Sequence, residues 1–141
     1  MNDERAFIDT NVIVYAYDRD AARKHDIARD LLIRLWNSGG GVISAQILQE
    51  FFVTVTKKIE IPLPASSARE IIEDFLTWDV VANDGETVLE AIDWQAREKL
   101  FFWDALVIAA AIKGGAEILY SEDLSDGRKF GNLIVRNPFA S

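Results

Sequence analysis

Arg5-Ala6-Phe7-Ile8-Asp9-Thr10-Asn11-Val12-Ile13-Val14-Tyr15-Ala16 is the stretch on which the fold turns. Its first four residues read as a short buried strand, and the segment from about Asn11 to Tyr17 reads as a helix. Asp9 therefore stands where an apolar strand hands over to a helix. An aspartate there can serve as a helix N-cap. It can also be a functional acid, because open parallel sheets place their functional groups at the carboxyl ends of strands.

The same alternation continues outward. His25 to Trp36 carries Ile27, Leu31, Leu32 and Leu35 at helical spacing, and Gly39-Gly40-Gly41 then stops the helix. Gly41 to Ser44 is a second strand, leading into a helix from about Ala45 to Lys58. Ser66 or Ser67 is placed to cap a helix running to about Trp78, with Glu70 set for a capping box. Val80 to Ala82 reads as a third strand. Asp84 caps a helix from about Glu86 to Leu100, and another covers roughly Trp103 to Lys113. Glu117 to Tyr120 and Leu133 to Val135 supply the last strands. Strands alternating with helices predict an α/β fold with a central parallel sheet covered on both faces. With no internal repeat and no Pro/Ser-rich linker, the 141 residues are expected to form a single domain.

Composition narrows the chemistry. The chain has no cysteine and one histidine, His25, so disulfides, thiolate metal sites and a Cys nucleophile are excluded, and a His-based zinc site is disfavoured. Net charge is −8, so no global basic surface draws it to a polyanion, and a nucleic-acid partner would require a local reversal of field by a divalent cation. The longest uninterrupted apolar run, Ala105 to Ile112, is too short to span a bilayer. The charged N-terminus, Met1 to Arg5, is unlike a signal-peptide core, and a cytoplasmic setting is the expectation.

Four acids sit where apolar residues would be expected. Besides Asp9, Glu50 has Ile47, Val53 and Thr54 as its neighbours on the helix surface and so borders the apolar stripe. Asp104 is the only charged residue from Leu100 to Ile112, in a helix apolar nearly all round and therefore expected to be buried. Asp123 lies in a turn-rich loop just past the strand ending at Tyr120, at the same rim as Asp9. Carboxylates gathered at one rim repel one another unless cations fill the gap. All-oxygen donors suit Mg²⁺ or Mn²⁺. Such ions activate water and stabilise the attacking and leaving oxygens of an in-line phosphoryl displacement, so metal-assisted phosphodiester hydrolysis is the natural chemistry.

Four blocks carry a family resemblance: Phe7-Ile8-Asp9-Thr10-Asn11-Val12-Ile13-Val14-Tyr15-Ala16, Gln49-Glu50-Phe51, Trp103-Asp104-Ala105-Leu106-Val107-Ile108-Ala109-Ala110-Ala111, and Leu119-Tyr120-Ser121-Glu122-Asp123. In order and spacing they resemble the PIN-domain family, most closely its toxin ribonucleases of the VapC type. The resemblance implies a three-layer α/β/α sandwich and Mg²⁺- or Mn²⁺-dependent endoribonuclease activity. It implies that Asp9, Glu50, Asp104 and Asp123 form the catalytic, metal-binding quartet, with Asp9 and Asp104 nearest the metal. Asn11 and Ser121 match the family's supporting polar positions, Ser121 standing where many relatives carry threonine. It further implies a small antitoxin partner and a homodimer.

An acidic nuclease still needs cations along its substrate path. Arg128 and Lys129 are the leading phosphate contacts because they follow the Asp123 loop; Arg19, Arg23 and Lys24, and Lys57 and Lys58, are the other basic clusters. The four tryptophans offer base-stacking surfaces, although helical placement favours core packing. Two other functions compete. An aspartate-nucleophile phosphatase needs an aspartate two residues after Asp9, where Asn11 stands. A non-catalytic module of the same fold, serving binding or scaffolding, would not need all four acids.

Overall fold

A computed structural model describes residues 4–140. The elements in chain order are β1 (Ala6–Ile8), α1 (Thr10–Ala16), a 3-10 turn at Arg19–Ala21, α2 (Arg23–Ser38), β2 (Gly41–Ser44), α3 (Ala45–Lys57) and α4 (Ala65–Phe75). They continue with β3 (Asp79–Val81), α5 (Gly85–Glu98), α6 (Phe102–Lys113), β4 (Ile118–Tyr120), β5 (Lys129–Phe130) and β6 (Leu133–Arg136).

The strands form one six-stranded sheet in the order β3-β2-β1-β4-β6-β5. Every pairing is parallel except that of β5 with β6. Helices flank the sheet: α1 packs on α2 and α3, α5 on α6, and both α2 and α6 contact β2. The α/β sandwich with a central, largely parallel sheet is therefore as the alternating pattern requires. Strands buried on both faces need apolar residues throughout, and Ala6, Phe7 and Ile8, like Gly41 to Ser44, are all buried.

The topology fixes where a site must lie. From β1 the chain builds β2 and β3 on one side, then returns to place β4 on the other. The strand order reverses between β1 and β4, and ligands of open α/β sheets bind in the crevice outside the strand ends at such a switch. Ile8 is in register with Tyr120, so Asp9 and Ser121 emerge side by side.

Two departures from the sequence pattern have local causes. Helix α4 starts on Pro64, whose carbonyl accepts from the Ser67 and Ala68 N–H groups at 3.0 and 3.1 Å, so the serines lie inside the helix and make no side-chain cap. Strand β5 is only two residues long and antiparallel, joined to β6 through Gly131 at φ +63°, a hairpin too short to leave a periodic signature. Ala22, between the 3-10 turn and α2, adopts φ 55°, ψ −114°, a conformation that L side chains rarely adopt.

Beneath β2 lies an aromatic cluster. The Phe75 ring packs against Trp36 and Trp78 at centroid distances of 4.8 and 5.0 Å. Gly41 is required there because a Cβ would lie 2.5 Å from the Trp78 ring.

Candidate active site

Residues from four separate segments line a cavity of about 490 Å³ at the switch point. Asp9, Thr10 and Asn11 come from the end of β1 and the start of α1. Gln46, Gln49, Glu50, Val53, Thr54 and Lys58 come from α3 and its C-cap, Trp103, Asp104 and Val107 from α6, and Asp123 from the loop after β4. All four acids singled out in the sequence thus face one cavity.

Asp9 is held from two sides. Its Oδ1 accepts from the Thr10 N–H at 2.8 Å, making it the N-cap of α1, while Oδ2 accepts from the Ser121 hydroxyl at 2.9 Å. The capping and functional readings of this residue are thus compatible. Ser121, fully buried, also accepts from the Asp123 N–H at 3.1 Å, so one hydroxyl ties the ends of β1 and β4 together. Asn11 closes the ring with a long 3.5 Å bond from Nδ2 to Asp123 Oδ2.

Glu50 is exposed rather than packed into the core. Its Oε1 accepts from the Thr10 hydroxyl at 2.6 Å, and Oε2 from Gln46 Nε2 at 3.4 Å. Thr10 and Gln46 were not singled out from the sequence. Thr10 had a usable signal, since a hydroxyl beside a functional aspartate is placed to brace a neighbouring acid. Gln46 had one too, as the residue one turn before Glu50 on α3. Asp104 lies in the first turn of α6, which has no side-chain cap, so the positive end of the helix dipole favours its negative charge. Residues Ala105 to Ala111 behind it are all buried, as its apolar sequence demands.

None of the four acids is ion-paired among the described residues. Burial pushes the Asp9 carboxyl up to about 6; the bonds from Thr10 and Ser121 oppose this, and the charges of Asp123 and Asp104 add to it. Asp104 is raised as well, by burial and then by Asp123 and Glu50. The donor chemistry suits a hard divalent cation, being carboxylate and amide oxygen throughout. Among the described residues no three His, Asp or Glu side chains stand close enough together to hold a metal ion between them. The acids ring a cavity instead.

Asp123 has a second support. Its neighbour Glu122 accepts from the Tyr15 hydroxyl and, at 2.7 Å, from Lys24 Nζ. Burial works to raise the Glu122 carboxyl, but these two bonds outweigh it and hold it low. Glu122 thus clamps its loop to α1 and α2. Asp126 accepts from the Asn137 N–H at 3.0 Å. The two proposed phosphate contacts fall outside the cavity lining. Arg128 donates to the Glu98 carbonyl and carboxylate and stacks over Phe130, while Lys129 is exposed on β5. His25, half-buried, has Nδ1 2.9 Å from the Tyr15 carbonyl oxygen and takes no part in the site.

Three solved structures share this architecture. VapC20 from Mycobacterium tuberculosis, described as a sarcin-ricin loop cleaving toxin, superposes with a TM-score of 0.64 and 23% identity over 82% of this chain and 88% of its own. A toxin–antitoxin complex from Klebsiella pneumoniae gives 0.69 and 17% identity over 95% and 98%. VapBC2 from Rickettsia felis, bound to a DNA fragment from its promoter, gives 0.65 and 20% over 94% and 97%. At these identities the likeness establishes the fold. No curated protein gives a significant match. The PIN domain family model matches residues 6–125, which include all four acids of the cavity and both ends of the Asp9–Ser121 bond, and the chain belongs to that family.

Proposed function

We propose that this protein is a metal-dependent endoribonuclease, the toxin of a toxin–antitoxin pair, built as a single domain. The observation that carries the reading is the meeting of Asp9, Glu50, Asp104 and Asp123 in one cavity at the sheet's switch point, with Ser121 bonded to two of their segments. Membership of the PIN family and the fold shared with VapC20, a toxin described as cleaving the sarcin-ricin loop, support ribonuclease chemistry. The likeness to toxin–antitoxin complexes supports a small antitoxin partner, and a homodimer accompanies that reading.

Asp9, Asp104, Asp123 and Glu50 would hold Mg²⁺ or Mn²⁺, which when bound neutralises the cluster and stabilises charge developing on the phosphodiester. The protein's own groups do the positioning. Ser121 fixes the orientation of the Asp9 carboxylate, and its link to the Asp123 backbone keeps the loop against the sheet. Thr10 holds Glu50 toward the cavity, where its carboxylate can orient a water or take a proton from it. The raised Asp9 carboxyl must lose its proton before it can serve as a ligand, so activity increases through the weakly acidic range.

Sequencing of RNA ends after brief expression of wild type beside Asp9→Asn tests activity and substrate together. New 5′ ends that depend on Asp9 support the reading. Identical end profiles for the two proteins overturn it. A trappable phosphoaspartate at Asp9 would point instead to phosphatase chemistry.

A further inference from the structure

Two residues of the cavity lining are not accounted for by the acid cluster. Trp103 is 63% exposed at the first turn of α6, immediately before Asp104, although an indole is normally largely buried. The other three tryptophans are partly buried against the core. Trp103 is propped at 75° against the Phe102 ring, with a centroid separation of 5.3 Å. Lys58, the C-cap of α3, is the only cation of the lining, and its ammonium has no carboxylate partner among the described residues. It follows Glu50 by eight residues, about 12 Å along the helix. It therefore stands about two helical turns past Glu50.

An exposed aromatic face and an unpaired ammonium lining one cavity are the two components of single-strand recognition, a surface for a base and a charge for the backbone. A duplex would offer Trp103 no free base face. We propose that the cavity is a single-stranded RNA groove in which a base adjoining the cleaved bond stacks on Trp103 and a flanking phosphate contacts Lys58. The inference deepens the ribonuclease reading and rests on it for the identity of the substrate. It assigns the phosphate contact to the end of α3 rather than to Arg128, whose guanidinium is engaged by Glu98. Both residues are binding residues, so they act on affinity and KM more than on kcat.

The test is fluorescence anisotropy of a labelled, unstructured octaribonucleotide in Mg²⁺ with full-length Asp104→Asn protein, on which further substitutions are made. Trp103→Ala is expected to weaken binding roughly tenfold or more, while Trp103→Phe retains most of it. Lys58→Ala is expected to weaken binding severalfold and to make the slope of log affinity against log salt shallower by about 0.7, with Lys58→Arg restoring both. A matched RNA duplex should bind more weakly than the single strand. Unchanged affinity and slope in the two alanine variants overturn the proposal. So does equal loss in the Phe and Arg variants, which would mark a structural role. A change in sedimentation of Trp103→Ala with RNA affinity intact would also overturn it and place Trp103 in a protein interface. If protein with Asp104 restored leaves bound RNA uncut with Mg²⁺ or Mn²⁺, while binding still depends on Trp103 and Lys58, the groove stands and the hydrolytic reading fails.

Discussion

Asp9 carries more of the site's behaviour than any other residue, because burial and like charges both oppose its ionisation. Its carboxyl is raised from 3.8 to about 6 in the folded protein, so the folded state holds this proton more tightly than the unfolded chain. The resulting stabilisation is complete below about pH 4 and is lost as pH rises through 6. Without divalent cations, stability from this group should fall across that window by on the order of 2–3 kcal/mol. Asp9→Asn should flatten the profile and be the more stable protein at pH 7, as urea titrations at several pH values would show. Asp104→Asn should preserve the fold and reduce RNA cleavage on the order of 100-fold or more, measured on a defined oligoribonucleotide. Ser121→Ala should cost about 10–100-fold in activity or metal affinity, by freeing both Asp9 and the Asp123 backbone. Asp9, Glu50 and Asp104 could be read from sequence because each adjoins an apolar setting, and Asp123 because it follows a strand to the same rim as Asp9. Thr10 and Gln46 carry only positional signals, next to Asp9 and one turn before Glu50, and the Glu122 clamp carries none, since loop acids are ordinary on any surface until a fold supplies their partners.

Among the elements, those that obeyed strong local rules were legible. Strand β2 follows the sequence reading residue for residue, and Asp84 caps α5 by accepting from the Thr87 N–H at 2.9 Å. The start of α4 was misplaced because two serines resemble a cap, whereas Pro64 already has its φ fixed and needs no N–H partner. Strand β5 escaped notice because two residues carry no period. The exposure of Trp103 was missed for a related reason: an apolar helix predicts burial, but its first turn projects past the core into the cavity. Packing at β2 gives the element-scale prediction. Gly41→Ala should destabilise the protein by about 1–3 kcal/mol through the collision with Trp78. Cleavage per folded molecule should be unchanged, which a chemical denaturation curve alongside an activity assay would establish.

For the molecule as a whole, a chain of net charge −8 that acts on a polyanion must acquire positive charge locally. Mg²⁺ at a hundredfold excess over its dissociation constant should stabilise the folded state by about 2.7 kcal/mol, raising Tm by roughly 8–10 °C. Asp9→Asn should show little of this shift, and a chelator should abolish cleavage by wild type. The topology that makes this possible was legible at the scale of the alternating pattern. That pattern did not say which strands would be neighbours; the return of the chain to set β4 beside β1 is a long-range choice made by packing. It alone brings position 9 within a hydrogen bond of position 121.

The contorted backbone at Ala22 belongs to this same machinery. Immediately after it, Arg23 donates to the Phe139 carbonyl and Lys24 to Glu122, so α2 enters with two consecutive side chains fastened to distant segments, one past β6 and one in the loop after β4. The bent residue thus sits directly before both latches, and the one at Glu122 holds the loop that carries Asp123. Glycine at position 22 would relax the strain of that bend.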